Sequence, residues 1–202
     1  MLTGCAAPAP KIAQESDIRT FQGRTLKTVI HESPPFALLS SNLGFAAFFG
    51  AGIGAMAGLS MERAGEKFIA AYSVNDPADT LATSLAQEIA TAYRLRSTAD
   101  QNTSTQNGLE LHVKTNFWAF GTTRTTGENW NIMYWPKFQL KDTQTGKVYA
   151  EYNCVYKRQQ TPSGLTMDEL VEADALQFKS ILNEIANECK EEFKISFLGI
   201  KS

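Results

Sequence analysis

The chain has 202 residues, 43% of them hydrophobic and 20% charged, with a formal net charge of -2. These values lie close to globular averages and suffice for one buried core, so they exclude a disordered or fibrous chain and argue for one domain. The charge balance also excludes the basic composition of nucleic-acid binders, and no nucleic acid is expected as a partner.

At the N-terminus, Leu2-Thr3-Gly4-Cys5 is followed at once by the proline-broken stretch Ala6-Ala7-Pro8-Ala9-Pro10. This arrangement resembles the lipobox of bacterial lipoproteins. The resemblance implies that Cys5 carries a diacylglyceryl group, becomes the first residue of the mature chain and anchors it to a membrane. Ala6 stands where an aspartate favours inner-membrane retention in many Gram-negative lipoproteins, so the resemblance implies a periplasm-facing place at the outer membrane. Only Met1 precedes the motif, whereas a signal peptide carries an apolar stretch of about 7 to 15 residues. The expectation is a signal sequence truncated in this chain; the alternative is a soluble domain with a chance LTGC. Residues 1–22 show no sustained period and read as lipobox and flexible tether, which leaves 23–202 as the folded domain.

Thr25 to His31 reads as a short strand stopped by Pro34-Pro35. A glycine-rich apolar segment, 43–59, follows this first strand, inside an uncharged stretch from Ser33 through Met61. Gly50, Gly54 and Gly58 are spaced GxxxGxxxG, which on a helix puts all three on one face and lets another helix approach closely, as in glycine-zipper segments. Each glycine costs an isolated helix about 0.8 to 1 kcal/mol relative to alanine, so packing has to hold such a helix together. Three readings stay open: burial within the domain, a surface for a partner or for self-association, and insertion into a membrane.

Asp76-Pro77-Ala78-Asp79 predicts a helix start with Asp76 as N-cap, and Leu81, Leu85 and Ile89 beside Ala78, Ala82 and Ala86 give it one apolar stripe up to about Arg96. After a polar loop, Leu109, Leu111 and Val113 alternate with Glu110, His112 and Lys114. Trp130, Ile132, Tyr134, Pro136, Phe138 and Leu140 then share one face of a second strand, with Pro136 marking an edge or a bulge. A turn over 142–147 leads to a third strand lined by Val148, Ala150, Tyr152, Cys154 and Tyr156, which completes an antiparallel meander. The last element is a long helix opened by the capping-box pattern of Thr166 and Glu169 and reaching Phe193, with Val171, Phe178, Ile181, Leu182, Ile185 and Cys189 on its apolar face.

These elements predict an α/β (α+β-like) fold: a mixed sheet containing an antiparallel three-strand meander covered by helices. Their order and the glycine-rich texture are similar to the small α/β domain of curli-secretion-class lipoproteins and of the N-terminal domain of the Tol periplasmic protein. With Cys5 committed to lipid, Cys154 and Cys189 remain, and both face the same core. In an oxidising compartment they form a disulfide; otherwise they are two buried thiols.

The search for chemistry is mostly negative. His31 and His112 lie 81 positions apart, outside any metal-ligand spacing, and no metal or other cofactor is expected. No nucleophile elbow, P-loop or dinucleotide fingerprint occurs, so no small-molecule substrate is evident. Glu110, His112 and Glu151 are the acid–base candidates if the chain is an enzyme. In strict alternation Trp118, Phe120 and Trp135 leave the core face, either to contact a glycan, peptidoglycan or a protein, or to lie beneath a second helical layer. The sequence therefore predicts a non-enzymatic envelope lipoprotein that binds a protein partner or itself, and two alternatives stand beside it: an envelope-acting enzyme and a soluble domain.

Overall fold

The computed structural model describes residues 11–39, 57–97, 108–122, 130–157 and 167–200. In chain order its elements are α1 (Glu15–Ile18), β1 (Thr25–Ile30), β2 (Ala37–Leu39), α2 (Ala57–Ala71), α3 (Ala78–Tyr93), β3 (Arg96–Ser97), β4 (Gly108–Thr122), β5 (Trp130–Asp142), β6 (Val148–Asn153), β7 (Tyr156–Lys157) and α4 (Met167–Glu192). The last runs into a π-helical turn, Phe193–Phe197. The sheet order is β3-β1-β4-β5-β6, with β2 pairing farther along β4 and β7 along β5. β1 and β2 run parallel to β4, while β4, β5 and β6 are antiparallel neighbours, so the expected mixed sheet with a three-strand meander is observed.

One sheet face holds the core. Leu109, Leu111 and Val113 of β4, Ile132, Tyr134, Phe138 and Leu140 of β5, and Ala150 of β6 are all buried, as period-2 alternation requires. α3 lies over β1 and β4 and buries Ala78, Leu81, Ala82, Leu85 and Ile89. It starts one residue later than expected, with Pro77 at the N-cap, and Asp76 just before it accepts the Ala78 N–H at 2.9 Å and the Tyr134 hydroxyl at 2.9 Å through Oδ1. α4 lies over β5 and buries Phe178, Ile181, Leu182, Ile185 and Cys189. It is not the continuous helix expected, because Ala173, Asp174 and Ala175 take left-handed φ of 50°, 62° and 55°. The Lys179–Asp174 ion pair at 2.8 Å ties the break to the helix that follows, and Ala175, its last left-handed residue, is buried. Thr166, the expected cap, lies outside the described residues. α3 and α4 are joined at their polar edges by Glu88, which meets the ammonium groups of Lys190 and Lys194 at 2.8 Å each.

Cys154 and Cys189 are disulfide-bonded, with Cα atoms 5.8 Å apart and both side chains buried. The bond ties the end of the meander to the covering helix.

Two further expectations are corrected. The tether does not extend to residue 22, because the chain is packed on the domain from Lys11 onward. Lys11 O accepts the Glu151 N–H at 2.9 Å, and Ala13 N–H donates to Phe197 O at 2.9 Å. Phe21 is fully buried edge-on to Tyr93 and Tyr149, a single aromatic anchor that leaves no periodic trace in the sequence. Of the two readings of Pro136, the bulge is the one observed: β5 is paired on both sides, and Pro136 sits opposite Thr115, where the β4 register shifts. There its carbonyl accepts the Cys154 N–H at 2.9 Å in the gap between β6 and β7.

That same shift produces the second correction. The register runs Thr115 opposite Pro136 and then Phe117 opposite Trp135, so Asn116 is a bulge residue with no partner on β5. One extra residue in a period-2 strand reverses which side chains face the core. Trp118 and Phe120 are therefore buried in the core, not exposed, at 4% and 0% accessibility. Trp118 packs edge-on to Phe36 at 4.9 Å and donates its indole N–H to Pro34 O at 2.7 Å. Phe120 joins a ring cluster with Phe68 and Phe178.

The glycine-rich segment falls mostly outside the described residues, Gly50 and Gly54 included, and Gly58 lies on α2. Seven residues farther along that helix, Gly65 meets the β2 side of the core so closely that an added Cβ would stand 1.8 Å from the Phe36 carbonyl oxygen. Here a strand approach, not a helix, requires the glycine. Among the described residues, no helix is long and apolar enough to cross a membrane.

Candidate functional site

The face of the sheet opposite the helices carries the polar half of each alternation. β4 contributes Glu110, His112 and Lys114, and β5 sets Lys141, Gln139 and Lys137 opposite them in register. β6 places Glu151 beside Gln139 and Asn153 beside Lys137. β1 runs parallel to β4 with Val29 opposite His112, and the next outward residue, His31, is held by its backbone N–H to Val113 O at 3.0 Å. Three strand-borne rows thus converge on one patch, and a pocket of about 340 Å³ opens there between His31, His112, the three lysines, Gln139, Asn116 and Asn153.

The two histidines, 81 residues apart in sequence, stand side by side: His31 Nε2 lies 3.0 Å from His112 Nδ1, with the rings stacked at 5.2 Å. His112 Nε2 in turn lies 3.0 Å from Glu110 Oε2. One neutral arrangement satisfies both contacts. His112 donates Nε2–H to the carboxylate, its Nδ1 lone pair accepts Nε2–H from His31, and the His31 Nδ1 lone pair is left facing outward. Burial, then His112, Lys114 and Lys141, push the pKa of His31 below that of an ordinary imidazole, which favours this neutral state. Across the face, burial alone would raise the pKa of Glu151, but hydrogen bonds from Gln139 and Lys137 outweigh it and hold the carboxyl below its usual range. The Lys137–Glu151 ion pair measures 3.2 Å.

Glu110, His112 and Glu151, the three acid–base candidates, therefore share this face. The chain-order reading missed His31 as the partner of His112, because only the parallel β1–β4 pairing brings them together. It also missed the lysine row. A signal for that row was present in the alternation of Lys137, Gln139 and Lys141 with Phe138 and Leu140.

The other sequence-derived site residues are dispersed. Cys5, Gly50 and Gly54 lie outside the described residues, Gly58 is on α2, and Trp118 and Phe120 are in the core. Trp135 is half-buried and packs on Phe117 with ring centres 4.7 Å apart, and its indole N–H is buried with no hydrogen-bond partner among the described residues. Among the described residues, no cluster of three or more His, Cys, Asp or Glu side chains is arranged to hold a metal.

No protein-family model and no curated protein matches the chain. Among solved structures it is similar to a Xanthomonas campestris protein of the DUF330 family, at 12% identity over 95% of both chains with a TM-score of 0.42. It is also similar to a lipoprotein from Neisseria meningitidis, at 13% identity over 81% of this chain and 99% of that one with a TM-score of 0.27.

Proposed function

We propose that this protein is a non-enzymatic lipoprotein of the bacterial cell envelope, held at the outer membrane through an acylated Cys5 and presenting its α/β domain to a protein partner or to a second copy of itself. The observation that carries the reading is the buried Cys154–Cys189 disulfide. Such bonds persist in oxidising compartments and are rare in the cytosol. Of the three cysteines, pairing these two leaves Cys5 as the remaining thiol, and it stands in the Leu2-Thr3-Gly4-Cys5 motif. Acyl chains contribute about 0.8 kcal/mol per buried methylene, and more than one chain is what makes an attachment stable. The domain, packed from Lys11 onward, leaves a short linker between the anchor and the fold. Gly50, Gly54 and Gly58 are the surface assigned to the partner or the second copy.

The test is the mass of the mature N-terminal peptide after expression behind a lipoprotein signal and recovery from the membrane fraction. A triacylated Cys5 is expected, together with a non-reducing peptide map that links Cys154 to Cys189. An unmodified N-terminus in a soluble fraction, or two alkylatable thiols in envelope-derived protein, would overturn the reading.

A further inference from the structure

The pocket above the histidine pair collects positive charge that the fold itself does not use. Lys137 is ion-paired with Glu151, but Lys114 and Lys141 make no ion pair among the described residues. Glu110, the register partner of Lys141, turns its carboxylate to His112 instead. The pocket wall holds three lysines, two imidazoles and three side-chain amides, and no carboxylate. The chain as a whole is slightly acidic, so this positive field is local to one concavity and is not a general basic surface. Its size, about 340 Å³, lies at the lower end of the roughly 300–1,000 Å³ of small-molecule sites.

We infer that this pocket binds one tetrahedral oxyanion, phosphate or a phosphate ester, between Lys114 and Lys141, with the amides of Asn116 and Asn153 and the protonated imidazole of His31 completing its donors. Donors converging from β4, β5, β6 and the end of β1 suit a group whose oxygens point in several directions, whereas a carboxylate offers two oxygens in one plane. A metal is disfavoured because the His31–His112 contact occupies one nitrogen of each ring and Glu110 occupies the second nitrogen of His112. The β4 bulge has a purpose in this arrangement: it adds Asn116 to the pocket rim while turning Trp118 and Phe120 inward.

The Glu110–His112–His31 chain makes binding proton-linked. The titratable groups around His31 are Glu110, His112 and Lys114 on β4, Lys137 and Lys141 on β5, Glu151 on β6, and Lys27 and Glu32 on its own segment. Without an anion, burial, His112 and the two lysines disfavour a charged His31; an anion beside the lysines offsets their field, so His31 takes up a proton on binding. The inference does not rest on acylation of Cys5.

The chain contains two histidines, both in this pocket, so the imidazole NMR spectrum of the untagged full chain reports on the site directly. Titration with inorganic phosphate is expected to give saturable shifts at both rings, which chloride at equal ionic strength does not. Lys114→Gln with Lys141→Gln is expected to weaken binding about tenfold or more. Sulfate, which does not titrate in this range, should bind more tightly as pH falls through the imidazole range, and His31→Asn should flatten that dependence. Asn153→Ala weakens binding without altering charge, so it serves if the lysine pair changes the melting curve. Vesicles of phosphatidylglycerol and of phosphatidylcholine distinguish the sources. Lysine-dependent sedimentation with the former alone assigns a lipid headgroup, and phosphate binding without sedimentation assigns a soluble ester. Shifts that do not saturate, or affinity unchanged in both the lysine pair and Asn153→Ala, would overturn the inference.

Discussion

Replacing Asp142 with asparagine, which exchanges one carboxylate oxygen for an NH2 group, should remove a large share of the stability of this domain. Asp142 and Arg24 are about 8–9% exposed, and Arg24 Nη2 donates to Asp142 Oδ2 at 2.6 Å and to Gly108 O at 2.6 Å. The same carboxylate accepts the Tyr149 hydroxyl at 3.1 Å and the backbone N–H groups of Gln144 and Thr145 at 2.9 and 2.7 Å. One anion thus ties the start of β1, the start of β4 and the β5–β6 turn together. Asparagine keeps an oxygen for the turn but presents its NH2 group to a buried guanidinium whose Nε already has no hydrogen-bond partner among the described residues. Breaking a buried pair from one side costs roughly 3–5 kcal/mol, and at this burial no discount for solvent screening applies. Burial alone would raise the pKa of Asp142; the Thr145 backbone N–H and Arg24 outweigh it and hold the carboxyl well below its usual range. A depressed folded pKa means that the stabilisation is complete above the unfolded value of about 3.9 and is lost as pH falls below it. Urea unfolding of both proteins at pH 7 and near pH 3, with the disulfide intact, measures the effect. A loss of about 3 kcal/mol or more at pH 7 that shrinks toward acid is expected. A loss under about 1 kcal/mol at pH 7, or one that grows on acidification, would refute the electrostatic account.

Reducing Cys154–Cys189 opens a loop with a sequence separation of 35, for which the chain-entropy relation gives about 4 kcal/mol; a non-reducing and a reducing urea melt should differ by that amount. Gly65→Ala places a methyl group 1.8 Å from the Phe36 carbonyl oxygen, so α2 must move off β2, and thermal melting should fall by an amount equivalent to at least about 3 kcal/mol. Trp118→Ala empties a core position and strands the Pro34 carbonyl, at a cost of about 3–5 kcal/mol, whereas half-buried Trp135→Ala should cost clearly less. Equal losses for the two tryptophans in urea melts would contradict the reversed alternation after Asn116.

The parts of the fold that were legible in the sequence are those whose signal is periodic. Leu109, Leu111 and Val113, the stripe from Ala78 to Ile89, and the spacing of Phe178 through Cys189 each repeat with the period of their element, and each is buried where that period puts it. The shared inward direction of Cys154 and Cys189 came from two such periods meeting, and the bond is there. The parts that failed have no period to read. Phe21 is one aromatic in a stretch of mixed polarity, yet it is wholly buried. The bulge at Asn116 changes neither composition nor hydrophobicity; it changes only parity, and parity decides whether Trp118 and Phe120 are surface or core.

The candidate site was illegible for a different reason: it is defined by register. His31 and His112 meet because β1 pairs parallel with β4 in a register that aligns Val29 with His112, and parallel pairing across some eighty residues leaves no local sign. Lys114 faces Lys137, a like-charge cross-strand pair that costs stability on an open sheet. Glu151 offsets Lys137 from its other side, but no carboxylate is set against Lys114 among the described residues. Instead the wall of the pocket carries three amides, which donate to an anion without neutralising the lysines, and His31, which donates once protonated. Local sacrifice of stability without a fold-level return marks a functional position. The lysine row of the open face fits that description, and a bound oxyanion would offset the charge of Lys114 that no carboxylate pairs among the described residues.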